Sequence, residues 1–231
     1  MNEVQFEFIP KPSGRRLAIS DIHGCYKTFS ALLNQLALSK DDQLFILGDA
    51  INRGPGSSQV LDQIMQLKQE GYAVYLIRGN HEQLILNAQK KSAERLKRTT
   101  KMSNSEGLVK DDKLFKKYRK LLKHSYHYLV LDEYYLVHAG FDFSKELPFE
   151  NVEAMMHIKQ FKAKKKFLDG KKVVVGHSPK KLGTILKRIK KGKRKLFIDN
   201  GCVNEQTEGQ GNLLCLNLDT LTISIQPNLE A

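Results

Sequence analysis

The stretch Gly48-Asp49-Ala50-Ile51-Asn52-Arg53-Gly54 follows directly on the apolar run 44–47, and sets a carboxylate four positions before a guanidinium. Such a pair can be a tight turn closed by a surface ion pair, or a cation ligand beside a grip for an anion. Similar polar residues follow other apolar runs: Asp21 and His23 in SDIHG, Asn80 and His81 in RGNHE, His138 in VHAG and His177 in VVVGHS. Asp21 and His23 are two apart, so an extended chain points both to one side. Oxygen and imidazole donors without a thiolate suit manganese, iron or zinc. Each residue alone has an ordinary reading, a turn aspartate or a satisfied core histidine. Eight of them at five strand ends resist that reading together, because buried polar groups without partners are costly.

The elements that must position these residues are legible as short β-branched and aromatic runs. Strands are expected over 16–20, 44–47, 72–77, 134–137, 173–176 and 196–198. A closing hairpin is expected from 213–218 and 221–225 around Asp219-Thr220. Between the early strands, Phe29, Leu32, Leu33 and Leu36 recur at helical spacing over 27–38. Val60, Leu61, Ile64 and Leu67 do so over 57–70, with Ser57 or Ser58 as N-cap, and a third helix is expected over 82–97. Strand–helix alternation at the front is an α/β signature, and the later crowding of strands predicts a mixed sheet. Open α/β sheets place their sites beyond strand ends, where the polar residues lie.

A chain of 231 residues fits one domain. Its net charge of +13 points to anionic partners: a phosphorylated protein, another anionic phosphoester, or nucleic acid. The basic stretches 90–123 and 162–195 are either solvated faces or a docking surface, and they lack the interleaved aromatics of a single-strand groove, which disfavours nucleic acid. Residues 1–14 read as an N-terminal extension and 90–125 as a basic helical insertion. No apolar run approaches the roughly 20 residues of a membrane span, so no membrane association is expected. The first residues lack a basic segment followed by an apolar core, so no secretory signal is expected. Cys25, Cys202 and Cys215, an odd number without close pairing, suggest a reducing, cytoplasmic setting and read as small buried apolar residues.

SDIHG, GDAINRG, RGNHE, VHAG and VVVGHS, in this order, resemble the phosphoprotein phosphatase family of calcineurin-like metallophosphoesterases, and IDNGC at 198–202 is similar to that family's late strand motif. The resemblance runs from about residue 17 to about residue 218, and the short length is closest to the compact bacterial and phage serine/threonine phosphatases. It implies a four-layer α-β-β-α sandwich with two mixed sheets and a centre of two divalent metals, manganese first, iron or zinc next. It implies Asp21 and His23 on one metal, Asn80, His138 and His177 on the other, and Asp49 bridging both. A metal-bridging hydroxide would attack in line, His81 would act as general acid, and Arg53 and Asn80 would hold the phosphate. Two positions depart from the family pattern. Asn52 stands where a supporting carboxylate is usual, and Lys159, in Met155-Met156-His157-Ile158-Lys159, stands where an arginine clamp is usual. The resulting expectation is a serine/threonine, or dual-specificity, protein phosphatase. The alternatives are a symmetrical diadenosine tetraphosphate hydrolase, a weakened phosphate-binding homologue, or a nuclease-like phosphodiesterase suggested by charge alone.

Overall fold

The computed structural model describes residues 3–230. Two five-stranded sheets carry the fold. The first has the order β12-β11-β2-β3-β4, with β2 (Arg16–Ile19), β3 (Gln43–Ile46), β4 (Ala73–Leu76), β11 (Asn212–Asn217) and β12 (Ile223–Pro227). The second has the order β1-β7-β8-β9-β10, with β1 (Phe6–Phe8), β7 (Tyr128–Val130), β8 (Tyr134–Val137), β9 (Lys172–Val175) and β10 (Lys195–Phe197). In the first, β2, β3 and β4 are parallel and joined by α1 (Tyr26–Leu36) and α2 (Ser57–Gln69), while β11 pairs antiparallel with both β2 and β12. In the second, β8, β9 and β10 run parallel, β7 is antiparallel to β8, and β1 is parallel to β7. Both sheets are mixed, as expected.

Period-two alternation explains why there are two sheets. Leu17 and Ile19 of β2, with Leu44 and Ile46 of β3, pack under Phe29, Leu32, Val60, Leu61 and Ile64 of α1 and α2. The intervening Ala18 and Phe45 face the other way, into a middle layer with Leu136, Val174, Leu196, Leu214 and Leu216. Val137, Val173 and Val175 point to a third layer, closed by Phe141, Met155 of α6 (Val152–His157) and Leu168 of α7 (Lys165–Leu168). Strands apolar on both faces can only be covered on both, which stacks helix, sheet, sheet and an outer layer of short helices.

Several boundaries differ from the sequence expectation. Residues 6–8 are not an extension: they form β1, hydrogen-bonded alongside β7. The expected helix over 82–97 is two, α3 (Asn80–Lys91) and α4 (Ala93–Met102), broken where Ser92 is extended (φ −168°) and its Oγ accepts from the Arg95 N–H at 3.0 Å. The basic insertion is only partly helical; it holds α4, the hairpin β5 (Val109–Lys110) and β6 (Lys113–Leu114), and α5 (Lys116–Lys123). Gly56, not Ser57 or Ser58, is the N-cap of α2, because Ser57 Oγ instead accepts the Asn52 N–H at 2.9 Å. The remaining helix, α8 (Leu182–Lys190), inserts Ile185 and Ile189 into the middle layer. All three cysteines are free and buried, as expected. Among the described residues no helix is long and apolar enough to cross a membrane.

Candidate metal centre

The loops after β2 and β3, the start of α3, and the loops after β8 and β9 meet at one edge of the sandwich. Asp49 is at their centre. Its Oδ2 is 3.8 Å from His23 Nε2, 4.0 Å from His81 Nε2 and 3.4 Å from His138 Nε2. Its Oδ1 accepts the backbone N–H of His81 at 3.0 Å. His138 Nε2 is in turn 3.1 Å from both Asn80 Oδ1 and His177 Nδ1. Two clusters result, His23–Asp49–His81 and Asp49–His138–His177, sharing Asp49.

The loops are stitched together by their own backbones. The N–H groups of Ile22 and His23 donate to Asp49 O, Gly24 N–H to Ala50 O, and Gly54 N–H to His23 O. The backbone is left-handed at His23 (φ 50°), Asp49 (φ 48°), Asn52 (φ 72°) and Arg53 (φ 72°) in these loops, and at His177 (φ 66°) after β9. Such conformations are unfavourable for residues with a side chain and persist where surroundings over-determine them. They also overturn the extended Asp21–His23 geometry. The chain turns at His23, which faces Asp49, while the Asp21 carboxylate accepts the His177 N–H at 2.9 and 3.1 Å and belongs to neither cluster. Two glycines are required sterically: a Cβ at Gly79 would sit 2.1 Å from Asp49 Oδ1, and one at Gly176 would sit 2.1 Å from Asp21 Oδ1.

Glu82 is the residue sequence reasoning overlooked. Fully buried, its carboxylate accepts the N–H groups of Asp49 (2.9 Å), Ala50 (2.9 Å) and Gly79 (2.8 Å), fixing the Asp49 loop against the first turn of α3. Its signal was the last letter of RGNHE, a Glu three residues after a helix cap, which is the capping-box spacing. Burial, with the Asp49 charge, pushes its pKa up to about 7. Asp199 of IDNGC was likewise unassigned. It is buried and accepts the Gly201 N–H at 2.7 Å, and burial outweighs that bond to raise its carboxyl to about 6.

The donor set fits cations on three observations. First, carbonyl groups orient the imidazoles: His138 Nδ1 is 2.8 Å from Leu47 O and His23 Nδ1 is 3.3 Å from Ile51 O. With the Nδ1 proton donated to a carbonyl, each Nε2 lone pair is aimed inward, the usual arrangement of ligating histidines. Second, burial depresses His23 to about 3 and His177 to about 4, so both are neutral, the form that binds metal. Third, donor atoms that share one cation at about 2.1 Å are spaced roughly 3.0–3.4 Å apart, as His138 Nε2 is from Asn80 Oδ1, His177 Nδ1 and Asp49 Oδ2. Burial alone would raise Asp49 and lower His138, yet their mutual attraction reverses both: the carboxyl is held far down and the imidazole is raised. In this pair the His138 imidazolium supplies beside Asp49 the positive charge that a bound cation would bring in its place.

Asn52 and Arg53 frame this cluster. Asn52 is fully buried, with its Nδ2 3.0 Å from His81 Nδ1 and its Oδ1 without a partner. Arg53 is exposed at the rim. Lys159 is exposed beyond the end of α6, and no hydrogen bond or ion pair ties it to the centre among the described residues. From that segment it is the backbone of His157 that reaches the centre, against His177.

Two stacked mixed sheets with a histidine–carboxylate cluster at their strand ends fit the metallophosphoesterase fold. The model of the calcineurin-like phosphoesterase family matches residues 14–209, and the chain belongs to that family. It is 38% identical over 93 residues to a symmetrical bis(5'-nucleosyl)-tetraphosphatase of Wigglesworthia glossinidia brevipalpis, covering 39% of this chain and 33% of that protein. The namesake of Nitrosomonas europaea is 31% identical over 129 residues, covering 53% of this chain and 43% of that one. The chain thus spans less than half the length of these curated relatives. Among solved structures, a candidate diadenosine tetraphosphatase superposes with a TM-score of 0.69 at 20% identity, over 99% of this chain and 100% of that one. A serine/threonine protein phosphatase of Saccharomyces cerevisiae superposes with 0.67 at 14% identity, over 98% and 84%. At such identities these likenesses speak to the fold.

Proposed function

We propose that this metallophosphoesterase hydrolyses the phosphoanhydride chain of dinucleoside polyphosphates, with diadenosine tetraphosphate as the first candidate substrate. The observation that carries a hydrolytic role is the Asp49 carboxylate between His23, His81 and His138. The names of the curated relatives support the tetraphosphate over the phosphoserine protein expected from the sequence. In this reading His23 and Asp49, with Asp21 behind them, would hold one cation, and Asn80, His138 and His177, again with Asp49, would hold a second. Bound divalent cations supply a water of lowered pKa and neutralise phosphate charge; manganese leads, with iron or zinc as alternatives.

The chain's own groups do the rest. Arg53 grips phosphate oxygens through its planar fork. The start of α3 turns its positive dipole end toward the anion, with the Asn80 amide beside it. A water oxygen bonds to phosphorus and the P–O bond to the leaving nucleotide breaks. The departing oxygen takes a proton from His81 Nε2, and the proton lost by water goes to solvent. Glu82 touches no substrate and acts by holding Asp49 and Gly79 in place.

The test is a single purified preparation, with added manganese, offered diadenosine tetraphosphate, a phosphoserine peptide and single-stranded DNA. Release of two ADP per tetraphosphate is expected, together with loss of at least ~100-fold of kcat and of metal content in Asp49→Ala. Turnover of the peptide with the tetraphosphate left intact would return the assignment to the protein phosphatases. Normal turnover by Asp49→Ala would remove the shared-carboxylate centre.

A further inference from the structure

Beside Arg53 and His81 a cavity of about 580 Å³ opens between α3 and α4, within the roughly 300–1,000 Å³ usual for ligand sites. One face of α4 lines it: Arg95, Arg98, Thr99 and Met102, the i, i+3, i+4, i+7 spacing of a single helical stripe. Three arginines, Arg53, Arg95 and Arg98, therefore border one cavity. Among the described residues none of the three has an ion pair or a side-chain hydrogen bond. Leaving three like charges together without carboxylates costs Coulomb energy, which an anion between them recovers. The same cavity is flanked by two exposed apolar side chains, Leu84 and Met102. Methionine is the adaptable side chain that packs readily on a planar ring.

The α4 wall is tied to the metal centre. Arg53 N–H donates to Ser103 O at 2.7 Å and Asn104 Nδ2 donates to Arg53 O at 3.1 Å. The turn that ends α4 thus braces the turn that carries Arg53, so the backbone of both turns is joined.

We propose that this groove receives the part of the substrate beyond the scissile bond: Arg95 and Arg98 pair with its distal phosphates, and Leu84 and Met102 cover its base. This assignment rests on the dinucleoside polyphosphate reading above. It makes α4, supplied by the insertion, the element that selects a phosphate chain ending in a nucleoside over a simple phosphomonoester.

The test compares wild type, the double variant Arg95→Ala/Arg98→Ala, Met102→Ala and, as a control, Lys97→Ala on another face of α4. Kinetics are measured with diadenosine tetraphosphate and p-nitrophenyl phosphate, and binding of ADP and of inorganic tripolyphosphate is measured by calorimetry. For the double variant, kcat/KM for the tetraphosphate should fall ~10–100-fold further than for the monoester, mainly through KM, as expected for lost charge-assisted bonds. ADP affinity should fall in parallel, Met102→Ala should weaken ADP but not inorganic tripolyphosphate, and Lys97→Ala should match wild type. If the tetraphosphate is turned over and the double variant behaves as Lys97→Ala does, the groove assignment is wrong while the function stands. If the tetraphosphate is inert but the double variant still loses ADP affinity, the groove stands and the function reading falls. Unchanged ADP affinity with an inert tetraphosphate overturns both.

Discussion

Asn52 stands where the resemblance implies a carboxylate. Its amide is 3.0 Å from His81 Nδ1 and can meet it in two ways. Nδ2 donates to a bare Nδ1, or the amide turns over and Oδ1 accepts from an Nδ1–H. Only the second supports the imidazolium that gives up a proton, so part of the population is held in the unproductive tautomer. A carboxylate can only accept, and Asp tolerates the left-handed backbone at this position about as well as Asn does. Asn52→Asp should therefore raise kcat by about 10-fold for substrates whose leaving group needs a proton. Aryl phosphates, whose leaving group departs readily, should gain much less. Measuring kcat for alkyl and aryl phosphates in both variants checks this, and equal gains would detach Asn52 from proton transfer.

At the scale of elements, the break between α3 and α4 decides where the arginine stripe points. No Gly or Pro marks a break between residues 82 and 97, and the sequence reads there as one helix. Ser92 is extended instead, and its Oγ caps α4 through the Arg95 N–H. The energetic preference of one cap is small, so tertiary packing of Leu96, Thr99 and Thr100 selects the break. Ser92→Ala should lower stability by about 1 kcal/mol, read as a shift in the urea midpoint with unchanged m-value. It should also weaken discrimination for nucleotide over monoester, because Arg95 is in the first turn of α4. A variant with the urea midpoint of wild type would show that the cap carries no weight.

On the scale of the whole molecule, ion pairs join segments far apart in sequence. The buried Arg16 guanidinium meets Asp219 after β11 and Glu133 between β7 and β8, joining the two sheets at the edge. Arg15 and Asp42 fasten the starts of β2 and β3. Burial would raise the Asp42 carboxyl, but the Arg15 side chain and the Ser39 and Arg15 N–H groups outweigh it and hold it at about 2. Against an unfolded value of about 3.9, this depressed carboxyl stabilises the fold at every pH above its unfolded pKa. The contribution fades as pH falls through about 2. Asp42→Asn should then cost about 1–2 kcal/mol at pH 7, with the gap to wild type closing between pH 4 and pH 2. Urea denaturation of both proteins across that range is the check; a gap that widens on acidification would mean Asp42 is not the group that matters.

The residues of the centre were legible because their chemistry is local: a polar side chain directly after an apolar run announces itself, and β2, β3, β4, β8, β9 and β10 fall within a residue or two of the runs that predicted them. The helices α1 and α2 and the β11–β12 hairpin were equally readable from periodicity and turn residues. What depended on contacts distant in sequence was not. β1 is three exposed residues that become a strand only by pairing with β7, some 120 positions later. Asp21 and His23 left the extended geometry because Asp49 O, after the neighbouring strand β3, captures the N–H groups of Ile22 and His23. Lys159 matched a motif position by spacing, yet it stays at the surface, since spacing does not fix where an irregular segment runs. The roles of Glu82, and of Arg95 and Arg98, depend on N–H groups and charges that only folding gathers. Sequence fixes which groups can bind cations and phosphate, because that is a property of side chains; tertiary structure decides which of them meet, because distance and desolvation are properties of the packed whole.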